Sequence, residues 1–143
     1  MTRMKTLRVI PLLIALLGVP ALAADRVAMV SSVPFVSGGI GFDEQQSLAA
    51  RAREFNLKLL FTLNEGNYVA DVGVVIRDAR GTTVLQHEAL GPFVMAKLPS
   101  GTYNVTATYE GRTHTRQVSV GNGLRTEHFR WPSNPQTDFP AQS

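Results

Sequence analysis

From Leu57 to Trp131 apolar and polar residues alternate with a period of two, punctuated by turn residues at short intervals, which is the pattern of half-buried β-strands. Leu57, Leu59, Phe61 and Leu63 mark a first strand that stops at Asn64-Glu65-Gly66-Asn67. Val72, Val74 and Ile76 mark a second that ends at Asp78-Ala79-Arg80-Gly81, and both breaks read as hairpin loops. Thr82 to Glu88 is a weaker third strand and Pro92 to Leu98 a fourth. Pro99-Ser100-Gly101 then turns the chain into its cleanest alternation, Tyr103, Val105, Ala107 and Tyr109, which predicts a central fifth strand. After Glu110-Gly111 come a sixth strand, Arg112 to Val120, the loop Gly121-Asn122-Gly123, and a seventh strand, Leu124 to Trp131. The pattern predicts a mainly β fold, a seven-stranded antiparallel β-sandwich.

Ahead of the strands the period is helical. Asp43 stands where an N-cap belongs, Glu44 lies in the first turn, and Leu48, Ala52 and Phe55 share a face, which predicts one short N-terminal helix over 43–55. Residues 24–42 are apolar and Gly-rich without a clean period and read as one short strand and a loop. Ser37-Gly38-Gly39-Ile40-Gly41 is then a connection with positive φ that folds the helix back over a sheet edge. Residues 132–143, with Pro132, Pro135 and Pro140, read as a flexible tail.

Leu98-Pro99-Ser100-Gly101-Thr102-Tyr103-Asn104-Val105, followed by Tyr109-Glu110-Gly111 and a strand ending at Val118 to Val120, resembles the carboxypeptidase regulatory-like domains. Val72 to Ile76, Asp78 and Gly81 fit the same pattern of a strand closed by an acid-x-x-Gly turn. The resemblance spans about Leu57 to Trp131 and implies a transthyretin-like sandwich that serves in folding, adhesion or interaction. It carries no catalytic residue onto this chain. As a whole the chain is also similar to small exported bacterial proteins.

The N-terminus bears on location. Arg3, Lys5 and Arg8 precede an apolar run from Val9 to Val19, and Ala21-Leu22-Ala23 supplies the small residues that a signal peptidase reads. Residues 1–23 are therefore expected to be a signal peptide cleaved after Ala23, placing the protein in the periplasm or outside the cell. The apolar run is shorter than the roughly 20 residues of a comfortable membrane span, so no stable span is expected after cleavage. Removing Arg3, Lys5 and Arg8 from the 14 basic residues leaves 11 against 11 acidic ones. A neutral chain offers no bulk attraction to nucleic acid. There is no cysteine, so burial alone must hold the domain together.

Candidate chemistry is sparse. The Ser37–Gly41 loop has the composition of an anion-binding turn, but Gly-x-Gly-x-x-Gly is missing and Asp43-Glu44 would oppose a phosphate. His87, His114 and His128 have no metal-ligand spacing, and no activated-serine motif occurs, so no catalytic residue, cofactor or metal is expected. If the last two strands form a hairpin in even register, His114 faces Arg130 and His128 faces Arg116, a cationic surface suited to an anion or glycan. Phe61, Tyr103, Tyr109 and Phe129 read as core, whereas Trp131 either caps the core or stands exposed. The expected function is a non-enzymatic exported module that binds a cell-envelope protein through a sheet edge or the loops at 99–101 and 121–123. Two alternatives stand beside it. One is a carbohydrate-binding module with Trp131, Tyr68 and Tyr109 as stacking platform; the other is an envelope hydrolase without a recognisable motif.

Overall fold

The computed structural model describes residues 30–134. The expected signal peptide and residues 135–143 of the expected tail lie outside the described residues. The strands, in chain order, are β1 (Val30–Ser31), β2 (Phe35–Gly38), β3 (Leu57–Leu63), β4 (Gly73–Arg77), β5 (Thr83–Glu88), β6 (Phe93–Ala96), β7 (Gly101–Tyr109), β8 (Arg112–Val120) and β9 (Arg125–Trp131). The helix α1 (Phe42–Ala50) and a 3-10 turn (Ala52–Glu54) separate β2 from β3. The seven expected strands are β3 to β9, and the one short strand expected within residues 24–42 is two, β1 and β2.

They form a five-stranded sheet, β1-β5-β4-β7-β8, and a four-stranded one, β2-β6-β3-β9. The period of two explains why one core serves both. Leu57, Leu59, Phe61, Phe129 and Trp131 of the second sheet pack in a single cluster with Ile76, Leu85, Val105, Ala107 and Val118 of the first. Strand β7 is flanked on both sides, as its alternation predicts, and pairs with β8 along its whole length from Gly101 opposite Val120 to Tyr109 opposite Arg112.

Several expectations are corrected. The break at 64–67 is a tight turn, with Leu63 N–H donating to Asn67 O at 2.8 Å, but it does not join β3 to β4 in a hairpin. After a single bridge between Thr62 and Tyr68, Asp71 adopts φ 59° and sends the chain across to the other sheet. The last hairpin is also absent: β8 pairs with β7, whereas β9 pairs with β3, in parallel, from Leu57 opposite Arg125 to Leu63 opposite Trp131. The fold is therefore not wholly antiparallel.

Asn56 anchors that crossing. Its Nδ2 donates to Leu98 O at 2.7 Å and to Gly121 O at 3.1 Å, its Oδ1 accepts from Leu98 N at 2.8 Å, and its backbone O accepts from Arg125 N at 3.0 Å. One side chain thus ties both loops that pass between the sheets to the start of β3.

The region before the helix folds onto the sheets: β1 pairs with β5 and β2 with β6, so residues 30–38 belong to the domain. The helix begins one residue earlier than expected. Gly41 occupies the N-cap position with no side-chain cap bond, and Asp43 and Glu44 both lie in the first turn. Strands β2 and β3 are each antiparallel to β6 and so parallel to one another. Their connection through α1 must cross a face of this sheet, and the inner face is occupied by the core, which leaves the outer one. Phe93 and Met95 alternate with core-facing Val94 and Ala96 and are buried on that outer side.

Candidate binding site

Six of the side chains singled out in the sequence meet at the seam between β8 and β9, but not in the expected way. Trp131 is 0% exposed. Its ring lies 5.2 Å from His114, 5.6 Å from Tyr109 and 6.2 Å from Phe61, and its Nε1–H donates to Arg112 O at 3.0 Å. It caps the core, with its polar edge satisfied by backbone as a buried indole requires, and it presents no face to a sugar. Tyr109 is half-buried against it.

The cationic pairing predicted across a hairpin is replaced by side-chain bridges between two sheets. Arg116 Nη1 donates to His128 O at 2.6 Å and its guanidinium lies 4.5 Å from the Phe129 ring centroid. Arg130 Nε donates to His128 Nδ1 at 3.2 Å, and Thr62 Oγ1 is 2.6 Å from His128 Nε2. Arginine only donates, so Nδ1 accepts and the proton sits on Nε2, donating to Thr62. Burial, Arg130 and Arg116 together push the His128 pKa below its ordinary value, which keeps the ring neutral. These groups lace the edges of two sheets together. Charge committed in this way is structural, and the bonds to outward carbonyls obstruct strand addition here.

The loops tell a different story. Because strands alternate in direction, loops 38–42, 64–72, 89–92 and 110–111 share one end of the molecule, and loops 51–56, 78–82, 97–100 and 121–124 share the other. At the first end Ile40 is 64% exposed, Phe42 71%, Tyr68 55% and Leu90 65%. A cleft of about 290 Å³ lies between Gly39, Ile40, Tyr68, Val69 and Pro92. A second, of about 430 Å³, lies between Tyr68, Asp71, Tyr109 and Glu110. The segment Tyr68–Ala70 is the wall shared by both.

Glycine chemistry shapes this surface. Gly39, with φ 100°, lets the Phe93 ring lie so close that a Cβ would stand 2.1 Å from it, and a Cβ on Gly91 would stand 2.4 Å from Gly38 O. The two non-glycine residues with positive φ among the described residues, Asp71 (59°) and Glu110 (47°), both line the larger cleft. Aspartate tolerates this region through its short side chain, whereas glutamate does so less readily. Such positions concentrate where a surface is built for a task.

Charge is segregated in the same way. The loops of the apolar end contain no lysine or arginine, and Asp43, Glu44, Glu65, Asp71, Glu88 and Glu110 stand in or beside them, with Arg112, beside the 110–111 loop, paired to Glu110 at 3.7 Å. The opposite end carries Arg51, Arg53, Arg77, Arg80, Lys97 and Arg125. Its acids are already engaged: Glu54 pairs with Arg51 at 2.9 Å, and Asp78 Oδ1 accepts from Arg80 N and Thr82 N, each at 2.9 Å. The balanced total charge thus conceals a molecule with an acidic end and a basic end. Composition could not reveal it, because it depends on which loops share an end.

Among the described residues no group of three or more His, Cys, Asp or Glu is placed to hold a metal, and no helix is long and apolar enough to cross a membrane. No protein-family model and no curated protein matches the chain.

Proposed function

We propose that this chain is an exported, non-enzymatic interaction module, its two sheets stacked as a transthyretin-like β-sandwich of the carboxypeptidase regulatory-like kind. It docks onto a protein of the cell envelope through its acid-rimmed apolar end. The observation that carries this reading is the exposure of Ile40, Phe42, Tyr68 and Leu90 at one end of the molecule, where Ile40 and Tyr68 line a cleft. Clustered exposed apolar side chains inside a polar rim mark interaction surfaces, and loops on a rigid scaffold are where binding residues gather. The export reading rests on the layout of residues 1–23 and places the partner in the periplasm or at the cell surface.

A photo-activated cross-linking residue at position 42 or 90, in living cells, tests the reading. One dominant adduct from both positions and none from position 117 on the outer face of β8 supports it; equal labelling from all three positions overturns it. A glycan is the second reading. What favours it is the larger cleft, where Tyr68 and Tyr109 stand beside Asp71 and Glu110. In that case Tyr68→Ala abolishes retention on envelope polysaccharide.

A further inference from the structure

The geometry points to a second copy of this chain as an occupant of the apolar end, joined head to tail, so that the acidic end of one molecule receives the basic end of the next. This rests on the reading of the apolar end as a docking surface and names a partner for it.

Two observations carry the inference. The large apolar side chains exposed among the described residues are Ile40, Phe42, Tyr68, Leu90 and Leu124. All but Leu124 lie at the acidic end. Leu124, 41% exposed, projects from the basic end next to Arg125. An apolar knob among cations at one end therefore faces exposed apolar side chains among carboxylates at the other when two copies meet head to tail.

The second observation is that part of the facing charge is not spent within the molecule, although Arg51, Arg125 and Glu110 are paired. Arg53 and Lys97, beside the cleft of about 360 Å³ at the basic end, make no ion pair among the described residues, and neither do Asp43 and Glu88 at the acidic end. Exposed charges of opposite sign at the two ends attract across an interface and repel when like ends meet, which favours head-to-tail over head-to-head contact. The two surfaces differ, so the contact is heterologous, and it extends to rings or filaments rather than stopping at a two-fold dimer.

The test is sedimentation velocity of the purified processed protein over a concentration series. Expected at low ionic strength is a distribution that shifts to larger species with concentration and returns to monomer when the salt is raised to about 0.5 M, where the screening length falls to a few ångströms. Two variants make the test specific. Arg53→Glu with Lys97→Glu reverses the unpaired charges of the basic end, and Asp43→Lys with Glu88→Lys reverses those of the acidic end. Each alone is expected to stay monomeric at concentrations where the parent assembles, and an equimolar mixture of the two to assemble again.

A parent that stays monomeric throughout at low salt overturns the proposal, and so does a mixture that remains monomeric after the parent has assembled. If the protein is monomeric but position 42 still gives one dominant adduct in cells, self-assembly falls while the docking surface stands.

Discussion

Replacing Asn56 by alanine removes the side chain that ties both sheet-crossing loops to β3. The truncation deprives the Leu98 N–H of its acceptor and the carbonyls of Leu98 and Gly121 of a donor. Leu98 is buried, at 3% exposure, whereas Gly121 is exposed and finds water. The cost therefore comes mainly from the two backbone groups of Leu98. At about 1–3 kcal/mol for each buried group left unpaired, the loss is about 3 kcal/mol. For a domain stable by about 5–15 kcal/mol this is a large share. With a urea slope of about 2 kcal/mol per molar, the unfolding midpoint falls by about 1.5 M. The aspartate variant sharpens the reasoning. Asn56→Asp keeps the acceptor for Leu98 N–H but turns a carboxylate oxygen toward two carbonyl oxygens, so it is less stable than the alanine variant near neutral pH. Burial and those carbonyls raise the carboxyl pKa in the folded state. The variant therefore recovers stability relative to the parent as the pH is lowered toward about 4, where the unfolded chain also binds the proton. Urea unfolding at two pH values decides it: an alanine variant within about 0.5 kcal/mol of the parent, the range of an ordinary surface change, or an aspartate variant more stable than alanine at pH 7, refutes this account of Asn56.

Three further outcomes follow from buried groups. His87 is 3% exposed, rests 4.8 Å from the Phe35 ring, and has neither ring nitrogen hydrogen-bonded. Burial lowers its pKa from 6.5, with Glu88 pulling weakly the other way. The unfolded chain then binds a proton that the folded one refuses, so stability is full above 6.5 and falls as the pH drops below it. His87→Leu flattens the parent's decline in thermal midpoint between pH 7 and 5, and an unchanged slope contradicts the assignment. Gly91→Ala forces a methyl to within 2.4 Å of Gly38 O and costs about 1–3 kcal/mol. Gly121→Ala meets nothing within 4 Å and stays within about 0.5 kcal/mol of the parent; equal losses in urea unfolding sink the argument. Trp131 is the one tryptophan in the chain and fully buried, so its emission is blue-shifted, resists iodide quenching and does not move on titration with envelope glycans. Strong quenching contradicts the core-cap assignment.

Strand existence was legible in the sequence because the period of two is a local consequence of one face being buried. Partner choice was not. Arg112 to Val120 and Leu124 to Trp131 look like a hairpin at short range, and only the long-range bonds of Asn56 to Leu98 and Gly121 show that the chain changes sheets. Residues 24–42 read as one strand where there are two, for a related reason: at two and four residues β1 and β2 are too short to show a period, and their partners lie at 85–86 and 93–96. The seam residues His114, Arg116, His128 and Arg130 were recognised as neighbours, but their bonds are spent inside the fold. Tyr68 is singled out by the sequence only as part of a stacking platform with Trp131 and Tyr109, and Ile40, Phe42 and Leu90 read as loop residues. Their one local signal is a large apolar side chain next to glycine, and only the turn at Asp71 and the crossing of α1 bring them to one place.

The central claim is that the acid-rimmed apolar end is the docking surface. Its most direct test compares the parent with an Ile40→Ser, Phe42→Ser double variant, both tagged and cross-linked in living cells after circular dichroism has confirmed equal folding and immunoblotting equal processing. Both substituted positions are exposed, so the fold is expected to survive. The account predicts that the dominant adduct of the parent disappears from the variant while the abundance of the processed protein is unchanged. An adduct that persists at parental yield contradicts it and moves the binding surface away from this end of the molecule.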